Sequence, residues 1–426
     1  MNLPAIRSIT RALLSVALGV LTLSALGAED WPQWGGPRRN FTSDARGLAS
    51  SWPAAGPKQL WSRALGDGYS GVAVSDGKLY TMFREPARMW QIGKADQDVV
   101  VALDAGTGKT LWEYRYDAPH GAKMGMENGP GPHATPLVLG SRVYAVGVMA
   151  VLNCLDARTG KLLWSHDLYK EYGAPVRGRG YSSSPIAFKR TVILPVGGPG
   201  QSLMAWNQDD GSVVWKKGDL DWGPSSPLII NVDGQDQIVF FGANEVAGFD
   251  PGSGDLLWTH PHKTQWGLNI ATPAWGEGNI LVVSSAYNGG TRAIKLTRNG
   301  NKTTAQQLWF DNRMRVHFGT LVRIGDYAYG SSGDFGPGFL AAVDVRTGNI
   351  AWRDRSFAKA NFVYADGKLI VVDEDGNLGL ATVSPDGLKV LAKAPVLQSN
   401  AWTAPSLSGT RLYVRDRKSI LALDLK

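Results

Sequence analysis

The chain has one cysteine, Cys154, among its 426 residues. No internal disulfide can form, and neither an adjacent Cys-Cys pair nor a C-x-x-C-H haem attachment is available. Charge is sparse as well, at 19% of residues; the formal net charge of +7 is spread without any Lys/Arg block, and Arg7 and Arg11 near the start contribute to it. A nucleic-acid partner is therefore not expected. Long apolar runs are missing everywhere except near the start, because every later run is broken within a few residues by Gly, Asp or Lys. The 52 glycines have no period of three, which excludes collagen, and an apolar content of 43% excludes intrinsic disorder.

The exception is the stretch from Ala12 to Leu26, uniformly apolar, preceded by Arg7 and Arg11 and followed by Gly27-Ala28 and the first acids, Glu29 and Asp30. This order reads residues 1–28 as a signal peptide, with cleavage after Gly27 or Ala28. The alternative is a retained anchor, since the run is barely long enough to span a bilayer. No Cys stands at the cleavage site to be lipidated. The mature protein is expected in the periplasm or outside the cell, with no stable membrane span after cleavage.

What is abundant is tryptophan, 16 in all, and it recurs in a pattern. VALDAGTGKTLW ending at Trp112 is answered by NCLDARTGKLLW at Trp164, AWNQDDGSVVW at Trp215, GFDPGSGDLLW at Trp258 and AVDVRTGNIAW at Trp352. A longer version ends at Trp309 with Thr297 in the Asp place, and a degenerate one carries Ala381 there. The Asp positions, from Asp104 to Asp424, lie roughly 37 to 52 residues apart, the spacing of four-stranded propeller blades. Each unit divides into short period-two runs separated by Gly/Asn/Asp turns, as consecutive hairpins do. Small-residue triplets such as Ser183-Ser-Pro185, Ser225-Ser-Pro227 and Ala271-Thr-Pro273 mark each first strand, next to a central channel. The expected fold is all-β: an eight-bladed propeller in which Trp61, Trp112, Trp164, Trp215, Trp258, Trp309 and Trp352 wedge between blades and bond to a neighbouring turn. The last repeat stops at Leu421-Ala-Leu-Asp424, and its missing Trp strand is Lys58-Gln-Leu-Trp61 at the other end. Strands from both termini should thus close the ring, leaving no open edge. The expected division is an arm over 29–51, lying across the outside, and a propeller over 52–426.

The repeated A-x-D-x-x-T-G-x-x-x-W motif resembles the tryptophan-docking repeat of quinoprotein alcohol dehydrogenase-like (PQQ-like repeat) propellers. The opening Trp31-Pro-Gln-Trp34-Gly-Gly-Pro37 is similar to the start of a secreted bacterial branch of that family, related to BamB. The resemblance covers about residues 30 to 426 and implies the eight-bladed ring, not one function. It also exposes departures: the dehydrogenases carry a Cys-Cys pair against their quinone, and BamB-type proteins are lipoproteins, whereas this chain has neither feature.

A site on such a ring belongs at the channel mouth, on residues just before the inner strands: Tyr69, His133, Tyr181, Trp222, Asn269, His317, Asn361 and Trp402. The longest loop there, Gly121 to His133, adds Glu127 and Asn128, the ligand types a Ca²⁺ needs. Arg177, Arg179 and Arg315 could meet carboxylates. Asp334 and Glu127 are the acids nominated as a general base for a dehydrogenase. The histidines read as channel residues, and no metal site is expected. With the Cys pair missing, the favoured reading is a non-enzymatic, monomeric binding or scaffold protein that needs no cofactor and takes a protein, peptide or glycan on its face. The alternative is an alcohol or polyol dehydrogenase using pyrroloquinoline quinone with Ca²⁺.

Overall fold

The computed structural model describes residues 29–86, 95–120, 124–125, 127–176, 178–334, 336–398 and 400–426. The leader at 1–28 and Arg177 lie outside the described residues. Eight sheets make up the ring, each built on four antiparallel strands; one gains a fifth, parallel strand, Thr42–Ser43. We number the blades by their innermost strands: Ala73–Ser75 (blade 1), Leu137–Leu139 (2), Ile186–Phe188 (3), Leu228–Val232 (4), Ala274–Gly276 (5), Val316–Ile324 (6), Ala360–Ala365 (7) and Ser406–Ser408 (8).

Blade 8 is built from both ends of the chain. Its outer strand, Lys58–Ala64, pairs with Ser419–Asp424 from Lys58↔Asp424 to Ala64↔Ser419. Beside this seam Arg415, fully buried, reaches from blade 8 into blade 1. Its guanidinium donates to the carbonyls of Ser70, Met82 and Gly68 and to the Thr81 hydroxyl, at 2.8 to 3.1 Å. Arg417 adds a bidentate ion pair with Asp67.

The docking tryptophans are held by geometry the repeat encodes. Asp104 Oδ1 accepts from the Thr107 N–H and hydroxyl at 2.8 and 2.7 Å, and Asp156 does the same with Thr159. This folds the third-to-fourth strand turn tightly, with Gly at positive φ, 70° at Gly108 and 72° at Gly160. The tryptophan of the preceding blade then lies flat on that glycine: a Cβ on Gly108 would sit 2.6 Å from the Trp61 ring, and one on Gly160 2.6 Å from Trp112. Its Nε1 donates to the same turn, Trp61 to Ala105 O, Trp112 to Ala157 O and Trp309 to Val345 O, at 2.9 to 3.1 Å. Trp164 and Trp352 bond to Gln208 O and Ser384 O. Two positions differ. Trp215 lies on Gly254, but its buried Nε1 has no partner among the described residues. Trp258 finds no turn, because Thr297 pairs with Thr304 inside a long hairpin, Gly290–Asn299 with Lys302–Asp311; it bonds to Gln237 Oε1 instead. The expectation of an Asp-type turn at Thr297 is corrected accordingly.

Trp112→Ala should cost about 3 to 5 kcal/mol, the usual range for a buried large aromatic. A sharper comparison is with Phe: Trp112→Phe loses the bond to Ala157 O and should cost about 1 kcal/mol more than Trp215→Phe, which has no bond to lose. Equal shifts in urea midpoint for the two variants would contradict the role given to the indole N–H.

The Ser/Thr-Pro triplets stand at the entrances of the inner strands rather than inside them, with Pro136, Pro185 and Pro227 each immediately before the strand. Their hydroxyls stitch blade to blade: Ser184 Oγ accepts from Thr135 N, Ser226 Oγ from Ser184 N, both at 2.9 Å, and Ser225 Oγ donates to Ala271 O. Thr403 Oγ1 donates to Tyr69 O across the seam.

The amino-terminal segment does not lie across the outside. Trp31 exchanges both backbone bonds with Val74 of blade 1, Pro32 O accepts from Val138 N of blade 2, and Thr42–Ser43 pair in parallel with Tyr364 and Ala365 of blade 7. Arg39 reaches Ala187 O of blade 3, and the Trp34 Nε1 bonds to Thr272 Oγ1 ahead of blade 5. A segment touching five blades must cross the channel. Its apolar residues explain the position: Trp31 and Phe41 are 2% and 1% exposed, and Trp34 packs edge-on against Phe41. They gain more by filling the lumen than by lying on a solvated rim. Most of these partners sit at the far ends of the inner strands, so the segment crosses one end of the channel and does not cover the other mouth.

Candidate functional site

The mouth opposite the amino-terminal segment is lined by the residues that lead into the inner strands. The structure splits the eight ring positions read from the sequence into two groups. Tyr181, Trp222, Asn269 and Asn361 are wholly buried. Tyr181 donates to Pro195 O and stacks near Trp222, Asn269 caps the carbonyls of Gly242 and His262, and Asn361 donates to Trp402 O. These four hold loops in place. His133, Tyr69, Trp402 and His317 form a wall with three residues the sequence reading missed. His133 stacks on Tyr69 (5.8 Å, 10°), Tyr69 on Trp402 (5.3 Å), Trp402 meets Phe318 (5.1 Å), and Phe318 lies beside His317 (5.3 Å). His317 meets Tyr287 (4.9 Å) and Tyr287 meets Trp266 (4.8 Å). The result is an unbroken belt of seven rings.

Local irregularity creates this belt. The register of blade 6 slips between Val316 and Leu321, so that His317 and Phe318 escape the strict alternation of the strand. Tyr287 and Asn288 have positive φ, 52° and 65°, in the turn between the second and third strands of blade 5. An Asn-Gly turn beside a Tyr, and a Phe adjacent to a ring-position His, were the available signals. Trp266, half exposed, left none beyond its place in a long loop.

The charged groups around the belt are matched. Arg179 pairs with Glu127 at 2.5 Å, Arg315 with Asp334 at 3.0 Å, Lys359 with Glu374 at 3.5 Å, and Arg417 with Asp67 at 2.5 Å. The Arg179–Glu127 pair is well exposed and adds little stability, whereas the other three are partly buried. The effect of all four is to leave the mouth close to neutral. Glu127 is thus occupied by Arg179, which also holds its carboxyl below the usual range, after a backbone bond of its own. The carbonyl of Asn128 accepts from the Tyr69 hydroxyl. Among the described residues no group of three or more His, Cys, Asp or Glu is placed to hold a metal ion. Cys154 is buried in the third strand of blade 2, Val151–Asp156, where burial pushes its thiol up to about 12.

Burial also pushes His133 and His317 down from 6.5 to about 4, and His262 to about 3, so all three are uncharged at neutral pH. A histidine depressed in the folded state contributes stability that is complete above its unfolded value of 6.5 and is lost as pH falls toward the folded value. Asp98 acts the other way: burial raises it from 3.8 to about 6, against the pull of Arg84, so it gains stability as pH falls through 6. Burial also lowers His260 and raises Glu245, so four histidines stand against two acids; the melting temperature should fall between pH 6.5 and 4.5, and His262→Phe should make that fall shallower. A flat or rising profile would contradict these environments.

Comparison with known proteins places the chain. The family model described as outer membrane protein assembly factor BamB matches residues 45–218 and 96–354. BamB of Yersinia pestis is 24% identical over 312 residues, covering 68% of this chain and 73% of the relative. The quinoprotein alcohol dehydrogenase PedH of Pseudomonas putida is 29% identical over 150 residues, 32% of this chain and 24% of that protein. Among solved structures, the quinohaemoprotein alcohol dehydrogenase of Comamonas testosteroni superposes with a TM-score of 0.63 at 14% identity, covering 93% of this chain and 80% of that one, a likeness of fold. The match to the family model spans well over half of the chain, and with the eight-bladed ring and its docking tryptophans it makes this protein a member of the BamB family of PQQ-like propellers.

Proposed function

We propose that this propeller is a non-enzymatic binding protein that grips an extended partner at its aromatic mouth. The observation that carries the reading is the belt of seven rings at the mouth opposite the amino-terminal segment. Aromatic side chains supply large contact area at little conformational cost and are the usual anchors of interfaces. The relatives named as outer membrane protein assembly factors support a partner that is itself a protein. The leader-like residues 1–28 support a site of action outside the cytoplasm.

The residues present do not fit a quinone seated on Ca²⁺. Among the described residues, the carboxylate nominated for the ion, Glu127, is engaged by Arg179, and Arg315 is engaged by Asp334. Cys154 is buried within a strand and has no second Cys beside it.

A photo-crosslinking side chain placed at Phe318, and as a control at Leu256 on an outer strand, separates the mouth from the rim. The expected outcome in intact cells is one discrete crosslinked partner from Phe318 and none from Leu256. Products from Leu256 alone would overturn the reading.

A further inference from the structure

We infer that the partner is an extended peptide segment carrying charges of both signs, and that it leaves the mouth along a groove between blades 6 and 7; this rests on the binding reading above. The groove has a volume of about 650 Å³, within the range of ligand-binding clefts. Its link to the aromatic belt is Glu374. Glu374 lines it, and the same carboxylate accepts from Trp402 Nε1 at 3.2 Å and pairs with Lys359. The loop that forms its lip, Gly336 to Gly338, follows Asp334, the acid paired with Arg315 at the mouth.

The chemistry of the walls distinguishes occupants. Buried Asp373 is satisfied, accepting from the Asn377 backbone and side chain, and Lys393 is spent on the Ser356 carbonyl and the Phe357 ring. Two groups are left over. Arg355 is exposed, its guanidinium lying near the Phe339 ring at 5.7 Å, and it makes no ion pair among the described residues. Asp375, exposed in the opposite loop, likewise has no partner among them. A cleft with one unmatched cation and one unmatched carboxylate is complementary to a chain bearing an acid and a base. A neutral saccharide needs neither charge. It would instead seek an open aromatic face, and the aromatic floor of this groove, Phe357, is 2% exposed and covered by Lys393.

The test is an array of immobilised decapeptides that share aromatic residues and carry an acidic side chain, a basic one, both, or neither, with neutral maltooligosaccharides spotted beside them. The full-length mature protein should be retained most strongly by peptides carrying both charges. Arg355→Glu should lower retention of acid-bearing peptides at least about tenfold, and Asp375→Lys should do the same for base-bearing ones. Trp402→Ala should weaken retention of every peptide. If charge does not sort the peptides, or if the preference survives Arg355→Glu and Asp375→Lys while Trp402→Ala still abolishes retention, the groove is wrong and the mouth stands. If Trp402→Ala has no effect, or only the saccharides retain the protein, both readings fall.

Discussion

Truncation before Lys418 is expected to unfold the whole ring in one transition rather than fray one blade. The deleted residues include Ser419–Asp424, which lies between Arg411–Arg415 and Lys58–Ala64 in blade 8. Without it the outer strand from the amino-terminal side has no partner, Leu65 loses its bond to Lys418 O, and Ala49 its bond to Leu425 O. The buried side chains of Ile420, Ala422 and Leu423 leave the core with it. An open ring then exposes two sheet edges, each a template for aggregation. The expected readout is loss of cooperative thermal unfolding, together with oligomers in size exclusion. A truncated protein that kept its full melting temperature would show that the termini do not close the ring.

Arg415→Met should be nearly as damaging, although it removes one side chain. The substitution preserves length and apolar packing while removing the guanidinium donors from the buried carbonyls of Met82 and Gly68; Ser70 O keeps only its bond from the Thr81 hydroxyl. Each stranded group costs about 1 to 3 kcal/mol, so with two of them a total loss of at least about 2 kcal/mol is expected. Arg415→Lys should rescue only part of it, since one ammonium cannot reach partners spread along the strand as a planar fork does. Burial lowers the Arg415 guanidinium to about 10, still far above neutral pH, so the charge is retained throughout the accessible range. A stability change below about 1 kcal/mol in urea titration would mean that the seam is held elsewhere.

The ring itself was legible because its determinants are local and repeated. An Asp, a Thr, a Gly and a Trp at fixed spacing each have one mechanical task, and the task is repeated around the circle. The sequence reading failed where a contact depends on which residues meet across the ring. Trp31 and Trp34 read as an outer arm because nothing in their own neighbourhood says that the lumen is wide enough to receive them. Tyr181 and Trp222 occupy the same repeat position as Tyr69 and Trp402, yet the first pair is wholly buried, whereas Tyr69 at 8% and the half-buried Trp402 keep an edge exposed. The difference lies in the loops above them, which have no repeat. Arg415 was invisible for the same reason: its partners Gly68, Ser70 and Met82 are more than three hundred residues away in sequence. Trp266 and Phe318 joined the belt through a loop and a register slip, neither of which a period-two pattern can announce.

The central claim, that this mouth binds a partner without a redox cofactor, is tested most directly by titrating the purified mature protein with pyrroloquinoline quinone and Ca²⁺, followed by calorimetry and by alcohol-dependent dye reduction. The account predicts no saturable uptake and no dye reduction, with Glu127→Ala indistinguishable from the unaltered protein. Stoichiometric, Ca²⁺-dependent uptake with alcohol oxidation that disappears in Glu127→Ala would contradict it.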